Sequence, residues 1–240
     1  VIFKLIEEIT ELTLVVACLY FILKLYLQHS QSERIEALGK RHLTILFVLI
    51  LVVTIIKVSE DVLGGKSGQI DRIILLFIHG LVPGSLINFF EAVTLTGSSK
   101  FLFPLATVVT ITLLCIRYRP EAILVATSVI SSAIVIYVIK MMTNRIRPEM
   151  WVTEWYWGSS FPSGHTLAVA AFATAVVLCV GKIRPAARNP ALVISVLWVS
   201  LVALSRMALG VHWPTDVLVA ACIGAFLPLA IRVVIESRNS

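Results

Sequence analysis

Charge is scarce in this chain. Only 14% of its 240 residues are charged, against about a quarter in an ordinary soluble domain, which excludes that class. Cysteine is scarcer still: Cys18, Cys115, Cys179 and Cys222 each fall alone within an apolar stretch. With no C-x-x-C or other ligand spacing, neither a disulfide framework nor a zinc site is suggested, and the four are expected to be packing residues. The chain lacks a Walker loop, an HExxH helix and a GxSxG elbow, so three common hydrolytic designs have no place in it. Fixed-period repeats, low-complexity tracts and long Pro/Gly linkers are also missing. The formal charge of +6 is scattered between apolar stretches rather than gathered into an aromatic-interleaved stripe, so no nucleic-acid partner is expected.

What remains is apolar: 58% of residues are hydrophobic and the mean hydropathy is +0.96. A bilayer core of ~30 Å needs ~20 helical residues. The pattern predicts spans over about 9–28, 43–58, 101–116, 121–141, 164–181, 190–208 and 215–235. Glu7, Glu8 and Glu11 crowd the start of the first, leaving it either spanning or lying in the interface. The expected fold is an all-α integral membrane protein. Its expected division is 1–42, an N-terminal helix with a basic cytoplasmic loop, and 43–240, a transmembrane domain; no cleavable signal peptide is read at the start.

Charges between the spans set the expected orientation. Arg34, Lys40 and Arg41, Arg117 and Arg119, Lys182, Arg184 and Arg188, and Arg232 and Arg238 fall at alternate span ends, which the positive-inside rule makes cytoplasmic. The stretches 59–100, 142–163 and 207–214 then share the opposite side. Within the first, Ile70, Ile73, Ile74, Phe77, Ile78 and Leu81 recur on one helical face, predicting either a helix on the membrane surface or a lid beside an active site. Trp151, Trp155, Tyr156 and Trp157 read as an interfacial belt.

Three polar clusters lie on that outer side. Lys140 and Arg147 stand about two helical turns apart, so both can serve one site, although Pro148 biases Arg147 out of the helix. Ser163-Gly164-His165 stands where a loop enters a span. A Ser N-cap, a Gly that admits close approach and unpaired first-turn N–H groups make an anion cradle, with His165 placed to give a proton to a leaving oxygen. Ser205-Arg206 ends one span, and His212-Trp213-Pro214-Thr215-Asp216 begins the next. With Pro214 as the first helical residue, Asp216 falls in the first turn, where it can fix the tautomer of His212 and leave the other nitrogen as a nucleophile. Arg206 adds a planar phosphate clamp. The outer acids Glu60, Asp61, Asp71, Glu149 and Glu154 suit a cation poorly beside three fixed positive charges.

The spacing K-x6-RP from Lys140, the tetrapeptide PSGH ending at His165 and SR-x5-H-x3-D ending at Asp216 resemble the three signatures of the type 2 phosphatidic-acid phosphatase superfamily, over roughly 58–235. The resemblance implies a six-helix transmembrane phosphatase core with an additional N-terminal helix, acting without metal or cofactor. It implies His212 as the nucleophile that forms a phosphohistidine, Asp216 as its orienting partner, and His165 as the acid. Lys140, Arg147, Ser163, Gly164 and Arg206 are implied as phosphate ligands. A membrane phospholipid or polyprenyl diphosphate such as undecaprenyl diphosphate, phosphatidylglycerol phosphate or phosphatidic acid is the implied substrate, at the extracytoplasmic face of a bacterial plasma membrane. Two rivals stay open: a phosphotransferase of the same family with a lipid or sugar acceptor, and a phospholipid or phosphate transporter, for which paired half-helices or an inverted repeat are expected and not seen. A vanadate-dependent haloperoxidase would share the oxyanion site but is soluble.

Overall fold

A computed structural model describes residues 2–29, 42–148 and 158–238. The basic loop with Arg34, Lys40 and Arg41, and the stretch carrying Glu149, Trp151, Glu154, Trp155, Tyr156 and Trp157, lie outside them. The described residues fold as helices and short connections, and the protein is an all-helical integral membrane protein. Two compact units are distinguished, Val1–Ile70 and Asp71–Ser240.

In the first unit α1 (Ile2–His29) packs along α2 (His42–Leu63), and Lys57 pairs with Glu11 at 3.2 Å. The helix predicted over 43–58 runs about a turn further, to Leu63. Cys18 is exposed on α1 rather than packed.

The second unit takes in most of α3 (Gly68–Leu81), then a 3-10 turn (Gly84–Leu86), α4 (Ile87–Leu95), α5 (Ser99–Cys115) and α6 (Arg119–Met142). It continues with α7 (Gly164–Ile183), a second 3-10 turn (Pro185–Ala187), α8 (Arg188–Ala208) and α9 (Pro214–Arg238). Helices α2, α6, α7, α8 and α9 are each long and apolar enough to cross a membrane. The α3–α4 pair, bent by 93° at its break, meets the same test as a broken span or re-entrant loop, while α5 is a shorter apolar helix. The stretch 59–100 is thus mostly helical. Pro83, which cannot donate a backbone hydrogen bond, marks the break.

Helix ends follow local chemistry. Pro120 occupies the first turn of α6, with Glu121 beside it and Lys140 in the last turn, each charge complementing the helix dipole. α7 is the central element, packed on α6, α8 and α9. Its Ala170, Ala171, Ala173 and Ala175 are buried, and small residues are what let membrane helices approach closely. Gly224 of α9 completes that fit: a Cβ there would lie 2.4 Å from the Leu167 carbonyl oxygen and 2.6 Å from Ala170 Cβ. Cys179 and Cys222 are buried in this bundle, whereas Cys115 is exposed at the end of α5.

Candidate active site

The site is built where α6, α7, α8 and α9 end or begin on one side of the bundle. α6 stops at Met142, because the chain turns extended at Thr143. Lys140 therefore leaves from the last helical turn, while Arg147 comes from an irregular segment instead of a continued helix. Lys140 Nζ donates to the Ser159 carbonyl at 2.6 Å. The Thr143 hydroxyl lies within hydrogen-bond distance of Ser159 Oγ and of the Phe161 carbonyl, each at 3.0 Å. These bonds tie the end of α6 to the loop that enters α7.

That loop reaches α7 through a cis Phe161–Pro162 peptide. Ser163 is the N-cap residue, but its side chain makes no cap bond and pairs instead with Thr166 Oγ1 at 3.1 Å. Without a side-chain cap, the first-turn N–H groups of α7 lie at the positive end of the helix dipole, an arrangement that suits an anion. Gly97, between α4 and α5, backs His165: a Cβ there would fall 3.2 Å from His165 Cβ and 2.9 Å from Val202 Cγ1.

The third cluster is set by a helix stop. Gly210, at φ 66°, lets the Gly210 N–H reach the Met207 carbonyl at 2.9 Å and the Val211 N–H reach the Arg206 carbonyl at 3.1 Å. This paired Schellman pattern ends α8 and turns the chain onto His212. Pro214 starts α9 as expected. Asp216 reaches back from the first turn to accept the Trp213 N–H at 2.9 Å, the carboxylate half of a capping box, which helps fix the helix entry.

The two buried residues His212 and Asp216 are thereby held side by side, with His212 Nδ1 3.5 Å from Asp216 Oδ2. That spacing is electrostatic contact, longer than a good hydrogen bond, and Nδ1 has no hydrogen-bond partner. The other ring nitrogen, Nε2, lies 3.5 Å from Arg147 Nη1, and the same Arg147 nitrogen donates to the Val211 carbonyl at 2.9 Å. Arg206 is 1% exposed and donates to Thr94 Oγ1 of α4 at 2.7 Å. Arg206, His212, Lys140 and Arg147 all lie within electrostatic reach of His165. Burial above all pushes the His212 pKa down to about 4; Asp216 opposes the shift, and the positive charges of Arg206 and Arg147 add to it.

All eight predicted site residues therefore lie in one neighbourhood drawn from three separated stretches. Two further polar residues join them: Arg145, whose terminal nitrogens bind Asp216 and Asp71, and Asp71 itself, fully buried. Asp71, expected among the outer acids and off the apolar face of α3, is buried against Arg145 and Thr215. Nothing in the sequence singled out Arg145.

A family model of the PAP2 superfamily matches residues 121–240, which include all three clusters. The chain belongs to the PAP2 superfamily. Within it, the chain is 42% identical over 66 residues to phosphatidylglycerophosphatase B of Escherichia coli K12, a match covering 28% of this chain and a quarter of that relative's length. It is 27% identical over 205 residues to an undecaprenyl-diphosphatase of Sulfolobus acidocaldarius, covering 80% and 92% of the two chains. Its fold is similar to that of a transmembrane PAP2 type phosphatidylglycerolphosphate phosphatase from Bacillus subtilis, with a TM-score of 0.73 at 22% identity over 79% of this chain and 96% of the other. LpxE of Aquifex aeolicus also shares the fold, with a TM-score of 0.55 at 24% identity over 67% and 93%.

Proposed function

We propose that this PAP2 protein is a membrane lipid phosphatase that hydrolyses the terminal phosphate of a phospho- or diphospholipid through a phosphohistidine. The observation that carries this reading is the convergence of His165, His212 and the cations Lys140, Arg147 and Arg206 at one end of the bundle.

In the proposed reaction Nε2 of His212 attacks phosphorus. The P–N bond forms as the P–O bond to the lipid breaks, and His165 supplies the proton that the leaving oxygen needs. Water then attacks the phosphohistidine, the P–N bond breaks, His165 takes the water proton, and inorganic phosphate leaves. Phosphoryl transfer demands positioning and charge stabilisation above all. Three cations and the first-turn N–H groups of α7 suit both demands, which supports proposing that no metal is required. One such donor is worth about 10²–10³ in rate in other enzymes.

The relatives' names make undecaprenyl diphosphate, phosphatidylglycerol phosphate and phosphatidic acid the lipids to test. Phosphate release from each should identify one turned over by the purified protein, unchanged by a chelator and abolished in His212→Ala while the variant still inserts. Full activity in that variant would end the covalent mechanism, and inhibition by the chelator that a divalent metal restores would end the metal-free one. Organic phosphate appearing on a lipid or sugar acceptor would turn the assignment to phosphotransfer.

A further inference from the structure

Asp216 is the inner member of a longer buried array. Arg145 stands in the irregular segment after α6, two residues before Arg147, with a side chain 15% exposed. One terminal nitrogen binds Asp216 Oδ1 and, at 2.9 Å, Thr215 Oγ1. The other binds Asp71 Oδ2. Asp71, in the first turn of α3, accepts the Thr215 N–H at 3.0 Å on Oδ1 and the Thr215 hydroxyl proton at 2.8 Å on Oδ2. Arg145, Thr215 and Asp71 close a ring of three side chains, and Arg145 joins Asp216 to it.

The backbone of Arg145 is held as well. Its N–H donates to Ser159 Oγ at 3.2 Å, its carbonyl accepts the Ser160 N–H at 3.0 Å, and its guanidinium carbon lies 5.8 Å from the centre of the Trp213 ring. Two fully buried carboxylates so close together would repel strongly without a cation between them. A planar guanidinium suits that place because its two terminal nitrogens bind in fixed, divergent directions.

The ring divides the work of the two Asp216 oxygens. Oδ1 is committed to Arg145, and Oδ2 is left for the Trp213 N–H and for Nδ1 of His212. Rotating the carboxylate would break the Arg145 bond and the helix-entry bond together.

We propose that Arg145 and Asp71 are positioning residues for the nucleophile, holding the Asp216 carboxylate in the plane that presents Oδ2 to His212 and tying the start of α3 to the start of α9. This rests on the reading of His212 as nucleophile. Arg145 is distinguished from a phosphate ligand because both of its terminal nitrogens already hold carboxylates.

The test uses the full chain purified in detergent and the lipid phosphate that the wild type turns over. Arg145→Gln and Asp71→Asn should each lower kcat roughly 10- to 100-fold with KM within about twofold. Inhibition by vanadate, a phosphoryl mimic, should be unchanged. Arg145→Lys, which keeps the charge and loses the fork, should recover part of the rate. The double variant should be no more than about twofold worse than Arg145→Gln, because residues acting through one network do not add. A kcat within about twofold of wild type in folded Arg145→Gln overturns the proposal, as does a tenfold loss of vanadate affinity, which would make Arg145 a phosphate ligand. Should the charge variants fail to fold, Thr215→Val decides: it keeps every charge and is expected to lower kcat alone, and an unchanged kcat overturns the ring. A wild type that releases no phosphate from any lipid, or an active His212→Ala, overturns the parent reading and this inference with it.

Discussion

A nucleophilic imidazole has to be neutral, and His212 sits where neutrality is enforced. Burial is the main cause of its pKa of about 4, with Asp216 pulling the other way and Arg206 and Arg147 adding to the depression. Since an unfolded histidine titrates near 6.5, the unfolded chain holds a proton between about pH 4 and 6.5 that the fold refuses. Stability therefore rises with pH across that window, and the proposed nucleophile stays uncharged above about pH 5. Histidine-labelled NMR spectra, with His212→Ala assigning the resonance, should show a midpoint near 4; a midpoint near 6.5 would mean the ring is solvated. At this scale the gathering of the eight motif residues was legible because each carries its pattern within a few neighbours: a Ser-Gly before His165, a Pro between His212 and Asp216. Arg145 and Asp71 were not, because their meaning lies in each other across 74 positions and, for Asp71, in Thr215 across 144. No local pattern encodes such a pairing.

Apolar period and terminators made the helices readable. Pro120, Ser163 and Pro214 mark starts, and Gly210 marks a stop that delivers His212 to the site. The α3–α4 bend was less legible, since an apolar face gives the period of a helix but not the direction it takes after Pro83. Close approach between helices was also silent in the sequence, although it decides how α7 and α9 bring Ser163 and Asp216 together; the Ser163 N–H donates to the Asp216 carbonyl at 3.2 Å. Gly224→Ala tests that approach. Its Cβ would meet backbone oxygen at 2.4 Å, and overpacking of this kind costs about 1–3 kcal/mol. Thermal unfolding in detergent should show a clear loss, whereas Gly80→Ala, with nothing within 4 Å of its Cβ, should show none. Equal behaviour of the two would mean that the α7–α9 contact is looser than drawn.

Across the second unit as a whole, the helix ends sort by chemistry. The ends with Glu121, Lys182, Arg232 and Glu236 line one cavity together with Leu124 and Leu178, and the opposite ends of the same helices carry Lys140, His165 and Asp216. A helix crossing a membrane separates its two ends by the full apolar thickness, so the site and the basic connections must face different compartments. On the positive-inside rule we propose that Lys182, Arg184 and Arg188 face the cytoplasm and the site the outside. That placement matters for function, because a phosphatase facing outward can act only on lipid phosphates exposed in the outer leaflet. Single-cysteine reporters test it, with Cys18, Cys115, Cys179 and Cys222 changed to serine and the chain expressed in bacterial cells. Asn144→Cys is exposed in the segment after α6, and Arg184→Cys is exposed beyond α7. A membrane-impermeant maleimide should label Asn144→Cys in intact cells and Arg184→Cys only after permeabilisation. The reverse pattern would turn the site inward and limit its substrates to lipid phosphates of the cytoplasmic leaflet.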